Sequence, residues 1–358
     1  MKKLDWYILK KYLTTFFFII GLLIGITVVI DISEKVDNLV ESEATLGYII
    51  TGYYFNFIPY ITAILAPFFV LVAVIFFTSQ LASRSEIIAI LNSGTSFYRM
   101  LYPYMIGATI LAFGLWFSNS YLVPISNKAR IEFESKYIYK RNFAIKVNFH
   151  RCVAPGTFIY IENYDPDAQS GYKFALERFV NDSMVYKLRS EKIEWNKQTK
   201  KWRVYNFYTR VPSASGYQIT KVAQADSIFP FTPEEFSYKS GIKEEMTNNQ
   251  LRDFISYMKG QGLNDVEYYE VELYRRTASA FSIYILTIIG VSVASRKMRG
   301  GLGWHLVLGI GLSALYEIVM KFSITFSTNS SLPAMIGVWI PNIIFACIAF
   351  YMIRKAPK

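Results

Sequence analysis

The chain has 358 residues, of which 53% are hydrophobic and only 18% are charged, and its formal net charge is +11. With a mean hydropathy of +0.24, this composition excludes an ordinary soluble domain and fits a multi-pass membrane protein with a sizeable polar portion. The basic residues collect at the ends of apolar runs, so the charge indicates membrane topology and not nucleic-acid binding. Cys152 and Cys347 are far apart and indicate neither a disulfide framework nor a metal site.

Six apolar runs are long enough, or nearly so, to cross a hydrocarbon core of about 30 Å as helices. We place these predicted spans near residues 12–32, 55–80, 101–123, 278–295, 304–326 and 333–353. The first span follows several lysines and has no small-residue cleavage site, so we expect an anchored span and not a signal peptide.

The basic residues of the short loops predict which side of the membrane each loop faces. The N-terminus, the loop containing Arg84 and Arg99, the turn at 296–299 and the C-terminal tail are basic, and we expect them to be cytoplasmic. The loops at 33–54 and 327–332 contain a single basic residue, Lys35, and we expect them to face outward.

Between the second and third spans, residues 83–96 predict a short amphipathic helix on the cytoplasmic side. Arg84 and Glu86 stand near its start, an Ile/Leu/Ala stripe follows, and Gly94 is placed to end it. A short helix of this kind is suited to docking into a groove on a partner. The alternative is an ordinary interfacial loop helix.

The only long polar stretch, about 125–270, lies between the third and fourth spans, and by parity we expect it to be extracytoplasmic. Short β-type runs such as 158–162, 192–195 and 202–207, with a hairpin at 196–200, predict an all-β sandwich or jelly roll. Residues 247–255 predict an N-capped helix that leads back to the membrane. The predicted fold is therefore a six-helix membrane bundle, residues 1–124 and 271–358, with an inserted jelly-roll-like β-domain.

No catalytic set is visible in the sequence. The glycines at Gly300, Gly301 and Gly303 are followed by Trp304 and not by the Lys-Ser/Thr of a phosphate-binding loop. His150 and His305 lie on opposite sides of the predicted membrane, so they share no metal site, and we expect each to be a surface or interfacial residue.

Basic residues near the outer membrane boundary indicate an anionic ligand. Arginine and lysine bind phosphates by charge-assisted bonds at such an interface, so a phosphorylated glycolipid is a natural candidate. The alternatives are surface charges of the β-domain and side chains that snorkel to the headgroups. The candidate substrate-binding residues are Lys35, Lys128, Arg130, Arg275, Arg276 and Lys321.

Glu317 and Lys321 are four residues apart on one face of the fifth span, which predicts an intramembrane ion pair with a structural or a gating role. Gly309 and Gly311 in the same span allow close helix approach. The fifth and first spans are therefore predicted to form a seam between two membrane subunits.

Several segments carry a resemblance that covers nearly the whole chain. They are Leu-Asp-Trp-Tyr-Ile at 4–8, Asn-Phe-Ile-Pro at 56–59, the segment 85–96, the hairpin between Trp195 and Trp202, and Tyr-Glu-Val-Glu-Leu-Tyr-Arg-Arg at 269–276. In this order, around an inserted β-domain, they resemble the LptF/LptG family of lipopolysaccharide-export permeases. Residues 4–8 lean towards LptG, and Ala280 departs from the proline of the family pattern.

The resemblance implies a non-catalytic membrane subunit of a bacterial ABC transporter, which extracts lipopolysaccharide from the outer leaflet of the inner membrane and passes it to a periplasmic bridge. It implies no cofactor in this chain, with ATP and Mg in a separate cytoplasmic ATPase dimer. The other partners are a homologous permease subunit, LptC/LptA-like bridge proteins and lipopolysaccharide, but no nucleic acid. The residues that would couple to the ATPase are Arg84, Glu86, Ile87, Ile90, Leu91 and Gly94.

Two other classes of membrane protein remain as alternatives. A secondary transporter usually places carboxylates near the membrane midplane for ion coupling, and here Glu317 is the clear candidate. A membrane sensor would use the β-domain to bind a ligand, but it also needs a cytoplasmic output module.

Overall fold

The computed structural model describes residues 3–42, 44–138, 149–165, 168–181, 183–213, 216–233, 242–260, 266–295, 301–329 and 332–355. The basic turn predicted at 296–299 lies outside the described residues. The chain divides into a helical unit and a β-unit. The helical unit comprises Met1–Ile138, Lys243–Leu251 and Glu267–Lys358, and the β-unit comprises Tyr139–Ile242 and Arg252–Val266.

Six helices of the described chain are long and apolar enough to cross a membrane, so the six predicted spans are confirmed in length and composition. They are α1 (Lys3–Val40), α2 (Leu46–Ser83), α4 (Phe97–Ile138), α7 (Val266–Ala294), α8 (Gly301–Asn329) and α9 (Ala334–Arg354). The short helix α3 (Glu86–Asn92) joins α2 to α4, and α5 (Ile242–Glu245) and α6 (Asn248–Gly260) precede α7. Helix α7 is continuous through Ala280.

Helix α4 extends to Ile138, well past the boundary expected at residue 124. Its polar extension is stabilised within the helix, because Arg130 donates to the Asn127 side chain at 2.7 Å and to the Glu134 carboxylate at 3.0 Å. Such contacts one turn apart support a helix after its apolar run ends. The polar extension contains a π-helical turn at Glu134–Ile138.

Apolar side chains of α1, α2 and α4 form the main core of the helical unit. Polar groups within that core are paired with one another, as a low-dielectric environment requires. The Tyr12 hydroxyl is 3.1 Å from the Thr287 hydroxyl, and the Thr78 hydroxyl is 3.0 Å from that of Tyr104. The first of these contacts joins α1 to α7, and the second joins α2 to α4.

The β-unit contains one antiparallel sheet among its described residues. Its strands are β1 (Phe149–Ala154), β2 (Thr157–Ile161), β3 (Asn163–Asp165), β4 (Ser170–Val180), β5 (Ser183–Asn196), β6 (Lys201–Ser213) and β7 (Gly216–Ser227). They pair in the order β1-β2-β4-β5-β6-β7, with β3 also on β4. The inserted β-domain is confirmed. Where the sequence predicted a sandwich or jelly roll, the described strands form a single sheet, because tight connections place successive strands side by side.

One face of the sheet is packed and apolar. Trp202 is fully buried there with Ile193 and Val204, and its indole N–H donates to the carbonyl of Phe231 at 3.0 Å. The predicted hairpin is present, since Trp195 lies opposite Trp202 and the Asn196 side chain accepts the N–H of Gln198 at 2.9 Å. Alternation along each strand places the other face of the sheet away from this core.

We expect Gly107→Ala to destabilise the protein, because a Cβ atom at Gly107 would lie 2.5 Å from the ring of Tyr12. The ring is held by its hydroxyl contact with Thr287, so the clash is not relieved cheaply, and overpacking of this kind costs about 1–3 kcal/mol. The thermal unfolding midpoint of the detergent-purified protein measures the effect. Gly114→Ala is the matched control on the same helix, because nothing lies within 4 Å of its added methyl. Equal midpoints for the two variants would contradict the close packing of α1 on α4.

Candidate functional site

A cavity of about 300 Å³ lies within the helical unit and combines an apolar wall with a group of charged side chains. Residues of α2, α4, α7 and α8 line it, together with α5. The apolar part includes Ala63, Ile64, Pro67, Val123, Val271, Met320 and Ile324. The charged part comprises Lys243, Glu244, Glu272, Arg275, Arg276, Glu317 and Lys321. Four basic and three acidic residues leave an excess of one positive charge, so the cavity fits an amphiphile with an anionic group.

The structure divides the predicted substrate-binding residues into two groups. Arg275, Arg276 and Lys321 line the cavity, as does Glu317. Lys35, Lys128 and Arg130 are not among the residues that line it, and Lys128 is exposed.

Arg276 is a buried structural group and not an open ligand-binding site. Only 3% of it is exposed, and its guanidinium contacts the Glu272 carboxylate at 3.0 Å. It also donates to the carbonyls of Lys243 and Met246 at 2.9 and 2.8 Å, and to the Asn248 side chain at 2.9 Å. These contacts fasten the segment that carries α5 to helix α7. The predicted role of Arg276 in substrate binding is therefore corrected, because the side chain is buried and four of its five N–H donors are already used.

Arg275 differs from its neighbour in exposure. It shares the Glu272 carboxylate, with contacts of 3.0 and 3.2 Å, but 35% of its side chain remains exposed. One buried carboxylate thus serves two guanidinium groups, and the group as a whole keeps a positive charge. Arg275 is the arginine of the pair that remains accessible to a ligand in the cavity.

Glu317 and Lys321 both line the cavity, and Lys321 is exposed while Glu317 is half-buried. Among the described contacts the two side chains do not form the expected direct ion pair, although they are near enough to interact electrostatically. Both charged side chains therefore line the cavity without pairing directly with one another. Lys321 is a second accessible cation beside Arg275.

Lys35 and Arg130 belong to a separate network that joins α1, α2 and α4. Lys35 lies 2.8 Å from Asp31 and 3.2 Å from Glu134, and also contacts the Tyr53 hydroxyl. Arg130 contacts the same Glu134 at 3.0 Å. Two carboxylates therefore compensate two cations, which leaves this network without excess charge.

The predicted docking helix is present as α3, but its apolar stripe packs against its own chain. Ile87 is 1% exposed, and Ile90 and Leu91 pack against the core of α1, α2 and α4. The prediction that Ile87 enters a partner groove is wrong, because this side chain is already buried. The exposed surface of the helix instead carries Ile88, which is 46% exposed, together with Arg84, Ala89 and Asn92.

Backbone geometry and one hydrogen bond fix the position of α3. Ser85 precedes it with φ of 61° and Gly94 follows it with φ of 84°, so both ends turn sharply. The Tyr7 hydroxyl of α1 donates to the Glu86 carboxylate at 3.0 Å. Glu86 is thereby held at the surface with its position set by a second helix.

Sequence reasoning missed Asp5, which is 2% exposed and forms a bidentate ion pair with the Arg99 guanidinium, with N–O distances of 2.7 and 2.8 Å. Its signature in the sequence is a single acidic residue among the lysines that precede the first span. This contact fastens the start of α1 to the start of α4, beside α3.

His305 also departs from expectation. It is 2% exposed, and its Nδ1 atom lies 2.8 Å from the hydroxyl of Ser79. The expected surface or interfacial position is wrong because α8 packs this side chain against α2. The contact joins α8 to the helix that leads into α3.

A comparison with known protein families identifies the family of the chain. The family model described as lipopolysaccharide export system permease LptF/LptG matches residues 6–355. The chain belongs to the LptF/LptG family. It is therefore a non-catalytic, multi-pass inner-membrane permease of a lipopolysaccharide export system. The match does not separate LptF from LptG, and curated protein sequences give no significant match.

We expect Arg276→Gln to destabilise the permease, because the carbonyls of Lys243 and Met246 lose their donor, and each buried group left unsatisfied costs about 1–3 kcal/mol. Arg275→Gln is the matched control, since it removes the same charge from a partly exposed position and leaves Arg276 on Glu272. Chemical unfolding of the purified permease compares the two variants. A larger loss for Arg275→Gln would reverse the assigned roles.

Proposed function

We propose that this permease extracts lipopolysaccharide from the outer leaflet of the inner membrane and passes it to a periplasmic bridge. The observation that carries the proposal is the cavity of the helical unit, in which accessible cations adjoin an apolar wall. Lipid A has the matching chemistry, with phosphates on its sugars and acyl chains attached to them.

In this proposal Arg275 and Lys321 bind the phosphates, and the acyl chains contact the wall that includes Ile64, Pro67 and Met320. Both cations are accessible, and charge-assisted contacts to phosphate are among the stronger hydrogen bonds. Arg276 positions the wall without binding the lipid itself.

Energy for extraction comes, in this proposal, from a cytoplasmic ATPase dimer that binds ATP and Mg. The permease contacts it through the exposed surface of α3, with the N- and C-termini on the same side of the membrane. Glu86 is the charged group of this surface that α1 holds in place. Coupling therefore relies on Arg84, Glu86 and Ile88, while Ile87, Ile90 and Leu91 anchor the helix and Gly94 ends it.

A homologous permease is the second proposed partner. In the most apolar 18-residue stretch of each helix, only 11% of the stretch in α1 and 28% of that in α8 is buried within the chain, compared with 67% for α7. Exposed apolar residues such as Phe18 on α1 and Phe322 on α8 therefore face lipid or another subunit. The proposal places the seam between the permeases at these two helices.

We expect Arg275→Gln combined with Lys321→Gln to reduce the lipopolysaccharide that copurifies with the transporter, and to reduce it more than either single change. The reason is that each contact in a partly hydrated site contributes only about 1 kcal/mol. Mass spectrometry of the purified complex measures the bound lipid.

Lys128→Gln is the control, because it removes an exposed cation that does not line the cavity. Thermal unfolding of each variant separates loss of lipid from loss of fold. Bound lipid at the wild-type level in a well-folded double variant would overturn the assignment of the cavity.

We expect Glu86→Lys to weaken ATPase copurification and lower transport without unfolding the permease. A surface change costs the chain within about 0.5 kcal/mol, whereas reversing a charge at an interface costs several kcal/mol of partner affinity. Pull-down of the ATPase and transport per ATP hydrolysed are the measurements. Tyr7→Phe removes only the hydroxyl that holds Glu86, so a smaller effect of the same kind is expected. Normal copurification and transport in Glu86→Lys would rule out Glu86 as a coupling residue.

A further inference from the structure

The face of the β-sheet opposite its packed core carries two rows of directly paired residues. In an antiparallel sheet, residues directly opposite each other place their side chains on the same face. The first row runs across the strands through His150, Tyr160, Ala175, Arg189, Tyr208 and Lys221. The second runs through Phe158, Glu177, Lys187 and Arg210. We call these ten residues the outer sheet face.

A cavity of about 320 Å³ opens on the outer sheet face. Its floor is Ala175, which is 7% exposed and whose small side chain leaves space between Tyr160 and Arg189 in the same row. Phe158, Glu177 and Lys187 belong to its wall. The hollow therefore arises from a small residue between larger cross-strand neighbours.

The charge of the outer sheet face is unbalanced. It carries four cations, Lys187, Arg189, Arg210 and Lys221, but a single carboxylate, Glu177. Glu177 pairs with Lys187 at 2.6 Å, whereas Arg189 is exposed and has no ion-pair partner in the part of the chain that the structure describes.

The single carboxylate does not balance all the cations of the outer sheet face. Lys187 and Arg210 lie directly opposite each other, and like charges in that position destabilise a sheet. Glu177 compensates Lys187, so the uncompensated charge is that of Arg189, Arg210 and Lys221, and an anionic ligand would compensate it.

Aromatic rings stand beside these cations. The rings of His150 and Tyr160 are 4.4 Å apart, and Phe158 is 42% exposed at the cavity wall. Aromatic rings offer flat apolar surfaces, Glu177 accepts hydrogen bonds from hydroxyls, and arginine matches phosphate geometry. Together these groups fit a sugar that carries phosphate.

We propose that the outer sheet face binds the phosphorylated oligosaccharide of the exported glycolipid, with Arg189 and Lys187 on phosphate and Tyr160 and Phe158 against the sugar rings. The inference rests on the proposed function for the identity of the sugar. It assigns to the β-domain a binding site distinct from the cavity of the helical unit. The outer sheet face takes the sugar, whereas the cavity of the helical unit takes the acylated lipid.

The test uses the full-length permease in nanodiscs of zwitterionic lipid. The probe is the soluble, phosphorylated core oligosaccharide released from lipopolysaccharide by mild acid, which lacks lipid A and therefore lacks the phosphates assigned to Arg275 and Lys321. Isothermal titration measures its binding. We expect Arg189→Gln to weaken binding about tenfold, as for one lost charge-assisted contact. Enzymatic dephosphorylation of the probe should weaken it at least as much, and Tyr160→Ala should weaken binding of both forms of the probe.

Lys197→Gln is the matched control, because it removes an exposed cation from the turn between β5 and β6. Arg275→Gln with Lys321→Gln should leave oligosaccharide binding unchanged while reducing copurified lipopolysaccharide, which separates this inference from the function of the cavity. Equal binding by wild type, Arg189→Gln and Lys197→Gln would overturn the proposal. So would equal competition by vesicles of anionic phospholipid without sugar, which would instead identify a membrane-binding face.

Discussion

Compensation of charge at low dielectric is the constraint on which the helical unit depends. A buried charge without a partner costs several kcal/mol, so each buried ion needs an opposite charge or several hydrogen bonds. The ion pair between Asp5 and Arg99 joins α1 to α4. A second link between these helices, near α2, is formed by Lys35 with Asp31 and Glu134. The ion pair between Glu272 and Arg276 belongs to the contacts that fasten the α5 segment to α7. The ion pairs therefore determine which helix ends stay together, while apolar packing fills the space between them.

The sequence predicted those features that depend on the solvent around each segment. The length of the apolar runs gave six spans because a bilayer sets a minimum length for a helix. Alternation and turn residues gave the hairpin between Trp195 and Trp202 because a strand with one buried face repeats every two residues. Both patterns are local, so they can be read without knowing which elements meet.

The sequence did not predict features that depend on distant partners. Arg275 and Arg276 are neighbours, but successive side chains of a helix point about 100° apart, and only Arg276 meets the carbonyls of Lys243 and Met246. Backbone acceptors of this kind leave no mark on composition. Ile87 was misassigned for the same reason, since an apolar stripe on a short helix does not reveal whether its own chain or a partner covers it.

The shared carboxylate of Glu272 gives the cavity a property that a transporter needs. A lone buried arginine would hold a phosphate tightly, because release would leave its charge without a partner. Arg275 has its own partner in Glu272 when no ligand is present, and Arg276 would keep Glu272 compensated if Arg275 turned towards a ligand. In neither state would Glu272 lack a positively charged partner. In the proposed mechanism this reduces the difference in free energy between the empty and the filled cavity, which favours release of the lipid when the cavity changes shape.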